Sequence, residues 1–190
     1  MVYTIYETNC IVFDLKNLQE DDCLIRAFSD KFGVINIIAK SFRKSQSKLK
    51  ANIKAFSVNK IAIVRGREFF RLTDVNHIIS FSNSKRWVSF LRLAESLFFN
   101  DERDYFDEIN NQVYNMIIHL CKFIIYLIKN NKKDSIEIVN MFFIIYVRSL
   151  QGFVVKFDIE EMTALKDNDL FIWFEKESSN IRNTNKKIIL

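Results

Sequence analysis

Eleven lysines and arginines lie between Lys31 and Arg71, at positions 31, 40, 43, 44, 48, 50, 54, 60, 65, 67 and 71, against one acid, Glu68. This stretch carries +10 in a chain whose formal net charge is +5, so the other residues sum to −5. A single basic run is ordinarily a solvated face. Ten net charges in so short a stretch instead mark a polyanion binder, in which each cation that meets a phosphate releases a condensed counterion. The candidates for phosphate contact are Lys40, Arg43, Lys44, Lys48, Lys50 and Lys54, with Arg65, Arg67 and Arg71 as a second cluster. Phe42, beside the first cluster, is the candidate for stacking a base and equally a candidate for packing.

Other chemistry is narrowed by what the chain lacks. Its three glycines, Gly33, Gly66 and Gly152, stand apart, and it has no proline. A phosphate-binding loop needs two clustered glycines and a dinucleotide fingerprint three, so neither motif exists here. Cys10, Cys23 and Cys121 show no metal or redox spacing and read as buried small hydrophobes. His77 and His119 are far apart, and His119 and Cys121 would not share a helix face. The acids Asp101, Glu102, Asp104, Asp107 and Glu108 could hold Mg²⁺ for phosphodiester cleavage, but the stronger reading is that acids in the first turns of a helix favour its positive end. The reading is therefore non-enzymatic, with no metal and no cofactor. The start, MVYTIYETNC, has no basic region followed by an apolar one, which predicts no secretory leader. The run Met116–Ile128 is interrupted by His119 and Lys122 and is too short to span a bilayer. A soluble, cytoplasmic protein with no membrane partner is expected.

Two halves with different hydrophobic periods must position the cations. Up to about residue 80 the pattern is that of strands: Tyr3–Asp14, Cys23–Ser29, Val34–Lys40, Phe56–Val64 and Phe69–Phe81. Ile35, Ile37 and Ala39 share one face of the third, and Arg65-Gly66-Arg67 supplies a hairpin turn. Five short strands, antiparallel by their short connections, predict a small closed or partly closed barrel. Ser41–Ala55 breaks the pattern as a loop or frayed helix, tied down only by Phe42, Leu49 and Ile53.

After Ser82 the period becomes about 3.6. Trp87, Phe90, Leu91, Ala94, Leu97 and Phe98 form one stripe. A second helix over 103–130 has Phe106, Ile109, Val113, Ile117, Leu120, Ile124 and Leu127 inward. Asp134 or Ser135 caps a third, with Ile136, Val139, Phe143, Tyr146 and Leu150 inward and Gly152 as its stop. Asp158 and Glu161 form a capping box for a short fourth, and 169–175 a further short helix or strand. These stripes read as bundle core. The class is α+β, with a β-barrel domain at 1–82, a helical domain at 83–177 and a polar, frayed tail at 178–190.

The stretch EDDCLIRAFSDKFGVINIIAKSFRKSQSKLKANIKAFS resembles the N-terminal domain of the bacterial RecO recombination mediators. Glu20, Asp22, Leu24, Phe28, Ser29, Gly33, Ala39, Lys40, Arg43, Lys44, Ser47, Leu49 and Ala51 occupy the positions of that family's pattern. Arg148, Leu150, Gly152 and Phe153 resemble a later helix end of the same family. Where the family's third strand ends in Gly this chain has Ser41, and the four-cysteine zinc site found in many members is missing from FVVKFDIEEM.

The resemblance implies a five-stranded OB-fold barrel followed by an α-helical bundle. It also implies binding of single- and double-stranded DNA, annealing of complementary strands, and loading of a recombinase with a RecR partner. Docking of the acidic C-terminal tail of single-strand-binding protein is implied as well. For such a tail Lys122, Arg148 and Lys156 are the available cations of the helical half. The alternative is a general OB-fold binder of single-stranded RNA or DNA without mediator activity, since basic-loop physics does not separate the two.

Overall fold

A computed structural model describes residues 4–81, 85–99, 110–132, 135–150, 165 and 167–189. The chain divides into two compact units, Met1–Asn115 and Met116–Leu190.

The first unit is built on five strands: β1 (Ile5–Leu18), β2 (Asp22–Ser29), β3 (Gly33–Ala39), β4 (Ser57–Arg65) and β5 (Phe70–Ser80). They close into a barrel in the order β1-β2-β3-β5-β4. All neighbours are antiparallel except β3 and β5, which close it in parallel through Ile37 opposite Phe70 and Ile38 opposite Arg71. The all-antiparallel pairing expected from the short connections is corrected at this seam. β3 and β5 are separated in the chain by β4, so their pairing leaves no local turn signal.

Alternation is clearest in β3, where Ile35, Ile37 and Ala39 point inward as expected. In β1 the run Cys10–Phe13 is buried on both faces. Cys10 and Val12 enter the barrel core, while Phe13 faces outward onto a helix, α2 (Lys85–Phe99). A register shift between Val12 and Asp14 bends β1, which lets one long strand pair with both β2 and β4. The β2–β3 turn is held by Ser29, whose buried hydroxyl oxygen accepts the Lys31 and Phe32 N–H groups at 3.1 and 3.2 Å. Gly33 follows with φ 63°, the left-handed conformation that a residue without Cβ adopts at no steric cost.

α2 lies on this barrel, and the boundary expected at 82 moves accordingly. Phe98 packs on Phe28 with ring centroids 4.7 Å apart and on Phe13 at 6.4 Å. Arg26 of β2 pairs with Glu95 at 3.2 Å and lies 4.0 Å over the Phe99 ring. Phe90, Leu91, Ala94 and Phe98 of the expected stripe are buried. Such contacts bind a helix to the sheet beside it more firmly than a helical sequence pattern suggests, so the first unit extends through the first residues of α3 (Asn110–Lys129).

The second unit contains the rest of α3, α4 (Ser135–Leu150) and α5 (Asp167–Ile189). The apolar stripes behave as read: Ile117, Leu120, Ile124 and Leu127 are buried on α3, and Ile136, Val139, Phe143 and Tyr146 on α4. α3 ends with Asn131 at φ 56° and the Lys132 N–H on the Leu127 carbonyl at 2.9 Å, a left-handed helix stop. The short element expected at 169–175 and the frayed tail at 178–190 are instead one helix of 23 residues. Leu170, Phe171, Phe174 and Ile181 give it a buried seam, with Phe174 5.3 Å from both Phe123 and Phe142. The expected helix start at 103, Phe106 and Ile109, the Asp134 cap, the Gly152 stop and the Asp158–Glu161 box lie outside the described residues, as does the acidic group at 101–108. Among the described residues no helix is long and apolar enough to cross a membrane.

Candidate nucleic-acid interface

The basic segment between β3 and β4 is a plug. Phe42 and Ile53 enter the barrel core, 7% and 2% exposed, and Leu49 packs against that cluster. Leu49 sits on α1 (Lys48–Asn52), a single short helix. With its few apolar side chains turned inward, the segment presents Arg43, Lys44, Lys48, Lys50 and Lys54 outward, all exposed. Phe42 is thereby corrected as a stacking residue: its ring fills the barrel and offers no face to a base. An aromatic set among lysines looks exposed only when the barrel end it closes is not in view.

Backbone and carboxylates fix the root of this segment. Ser41 has φ 53°, a left-handed conformation that favours glycine. Its N–H donates to Oδ1 of Asp22 at 2.9 Å, while Lys40 donates to Oδ2 of the same carboxylate. The Arg43 N–H donates to the Asp21 carbonyl at 2.9 Å, and the Lys44 ammonium stands 3.7 Å from the Asp21 carboxylate. The Lys40 bond and the Ser41 N–H hold the Asp22 carboxyl below its ordinary pKa. Two of the six first-cluster cations are thus partly neutralised by acids that precede the basic stretch. For Arg43, Lys48, Lys50 and Lys54 there is no ion pair among the described residues.

The second cluster lies on the β4–β5 hairpin. Arg65 pairs with Phe70 across it, and the Gly66 N–H donates to the Phe69 carbonyl at 3.0 Å. A Cβ at Gly66 would stand 2.4 Å from that same oxygen, so the turn requires glycine for close approach. Arg65, Arg67 and Arg71 line a groove of about 770 Å³, and Lys40 joins them there. Closure of β3 on β5 makes this possible, because it puts Ile38 opposite Arg71 and so carries the end of β3 to the start of β5. The floor is apolar, with Ile38, Val64 and Phe70, and Ile5 and Phe69 stand at 61% and 38% exposure. Glu68 is the one acid in the lining. Phe69 was not singled out by sequence reasoning. The available signal was its place in Arg-Gly-Arg-Glu-Phe-Phe, an aromatic at a hairpin tip among guanidiniums.

The remaining expected residues are less concentrated. Lys122 is exposed on α3, Arg148 is half-buried in the last turn of α4, and Lys156 lies outside the described residues. Burial pushes the Cys10 and Cys121 thiols well above their ordinary values, and the Cys23 thiol upward, so none is poised as a thiolate. Among the described residues no three His, Cys, Asp or Glu side chains gather where they could hold a metal ion.

Residues 1–81 match the family model described as Recombination protein O N terminal. The chain is also similar to proteins named DNA repair protein RecO. It is 28% identical to that of Mesoplasma florum over 139 residues, covering 63% of this chain and 52% of the relative. It is 29% identical to that of Alkaliphilus metalliredigens over 116 residues, covering 58% and 47%. With that of Clostridium novyi it shares 29% identity over 80 residues, covering 42% and 31%. The matches thus span between about a third and a half of these relatives' length.

Proposed function

Residues 1–81 match the RecO N-terminal family model, and from that match we propose that the chain is a non-catalytic DNA-binding mediator of DNA repair and recombination. The five-stranded barrel is read as an OB-fold, with α1 as the helix between its third and fourth strands. The observation that carries the reading is the gathering of Lys40, Arg65, Arg67 and Arg71 around one apolar-floored groove, next to a plug whose cations face outward. A cationic groove with apolar and aromatic faces is the arrangement that tracks a phosphate backbone and accepts bases without proton transfer or metal.

The mechanism is electrostatic. Cations of the groove and of the plug screen the phosphates of two strands and lower their mutual repulsion. Contacts of this kind are salt-labile, so a paired product is released rather than trapped. Four phosphate contacts on single strands give a log–log salt slope of about −3. Single- and double-stranded DNA, a RecR-like protein and the acidic tail of single-strand-binding protein are the proposed partners, with recombinase loading as the outcome. Action at the nucleoid in the cytoplasm follows from these partners. For the tail, Lys122, Arg148 and Lys156 remain the proposed contacts.

The test is the annealing rate of two complementary oligonucleotides with chelator present and no nucleotide. Acceleration that fades as salt rises is the expected result. Tight binding without acceleration overturns the mediator reading and leaves a general OB-fold binder.

A further inference from the structure

The two groups of cations differ in what surrounds them, and from that difference we infer that the groove is a single-strand site with Phe69 as its base platform. The inference rests on the DNA-binding reading above and divides the labour within it. The plug presents Arg43, Lys48, Lys50 and Lys54 to solvent, and Phe42 and Ile53, its most buried apolar side chains, enter the core. Such a surface contacts phosphates without sensing whether the bases are paired. The groove instead sets an exposed aromatic, Phe69, and an exposed aliphatic, Ile5, between guanidiniums.

Its occupant follows from charge and shape. Lys40, Arg65, Arg67 and Arg71 against the single acid Glu68 call for an anion, and the apolar floor calls for flat, weakly solvated surface beside that anion. A single-stranded nucleic acid supplies both, one base face per phosphate. A duplex supplies the phosphates but keeps its bases stacked, and presenting one to Phe69 costs the unstacking energy. The ring is free to serve because the hairpin fixes its backbone rather than its side chain: the Phe69 carbonyl accepts the Gly66 N–H at 3.0 Å while the residue stays 38% exposed. Two strands can therefore meet on one barrel, one held by its bases in the groove and one by its phosphates on the plug.

The experiment compares the wild-type chain, Phe69→Ala and Phe69→Trp for binding to an oligo(dT) strand and to a blunt duplex, at one salt concentration. Phe69→Ala is expected to weaken oligo(dT) binding about tenfold, the loss of one stacked base, and to leave duplex binding within about twofold of wild type, because phosphate contacts alone hold a duplex there. Phe69→Trp is expected to retain affinity and to show fluorescence quenching on oligo(dT) beyond that of Trp87 and Trp173 in wild type. Equal losses for strand and duplex, no loss at all, or fluorescence of the introduced indole unmoved by oligo(dT) each overturns the assignment. So does a groove that binds an acidic, apolar peptide in place of oligo(dT). Wild type that binds neither DNA overturns the reading beneath it, a result distinct from wild-type binding that Phe69→Ala leaves intact.

Discussion

Lys40 donates its ammonium to the carboxylate of Asp22, joining the end of β3 to the start of β2 at the root of the basic plug. The same carboxylate accepts the Ser41 N–H at 2.9 Å. One acid therefore anchors the backbone where the plug begins and covers part of the charge that the groove presents. A carboxylate in this position is a competitor for phosphate as well as a structural tie, and the two roles separate on substitution.

Asp22→Asn keeps an oxygen for Ser41 but removes the negative charge. In the wild type the folded-state pKa of Asp22 is lowered, so its stabilisation is complete above the ordinary carboxylate range and is lost as pH falls through the lowered value. The variant is expected to melt lower than wild type at neutral pH and to converge with it in acid. Its DNA affinity is expected to rise, with a salt slope steeper by about 0.7 for one more phosphate held by Lys40. Thermal melts across pH and a salt titration check the two halves. A variant whose melting and salt slope both match wild type removes Asp22 from either role.

Ser41→Gly addresses the strained neighbour. With φ at 53°, Ser41 holds a conformation that costs an L-residue about 1 kcal/mol. Glycine removes that cost and loses some of the gain to its freer unfolded state, for a net stabilisation of about 0.5 kcal/mol. The urea midpoint should rise with the slope of the transition unchanged. A fall in the midpoint means that the serine side chain contributes more than its backbone costs.

The barrel and the bundle stripes were legible because they are local. Alternation at Ile35, Ile37 and Ala39, and helical spacing at Phe90, Leu91, Ala94 and Phe98, are written within a few residues. What escaped was long-range. The parallel pairing of Ile37 with Phe70 brings Lys40 to the Arg65–Arg71 hairpin, and nothing near either segment announces it. Phe42 failed as a base platform for the same reason, since its burial depends on a barrel end made by strands far away in sequence. In α5 the polar stretch after Phe174 concealed a helix, because one buried residue, Ile181, two turns on keeps the seam going.

Phe42→Ala tests the plug. Truncating a buried phenylalanine costs about 3–5 kcal/mol from lost burial and the cavity left behind. The melting temperature is expected to drop sharply, while DNA affinity per folded molecule stays near that of wild type. Measuring affinity well below the melting transition separates the two. Lost affinity with melting unchanged restores Phe42 as a contact to bases.

Gly66→Ala acts on the hairpin without touching the core. Its Cβ would meet the Phe69 carbonyl oxygen at 2.4 Å, so the turn must shift and carry Phe69 and Arg67 with it. Single-strand affinity is expected to fall about as far as in Phe69→Ala, with a stability loss of about 1–3 kcal/mol, because the contact that must be relieved is with backbone rather than a flexible side chain. Oligo(dT) binding beside a thermal melt decides this. Unchanged binding means that the hairpin tip is not part of the site.

Charge reversal of the plug gives the opposite pattern. Arg43→Glu, Lys48→Glu and Lys50→Glu together remove three exposed cations that have no ion pair among the described residues, leaving the Lys44–Asp21 pair in place. Each is an exposed surface change expected to shift stability by no more than about 0.5 kcal/mol. Loss of three phosphate contacts should reduce the single-strand salt slope by about 2 and lower affinity for strand and duplex together. Annealing should slow even where oligo(dT) still enters the groove, because the second strand has lost its holder. Annealing at the wild-type rate in the triple variant would show that the groove alone brings the strands together.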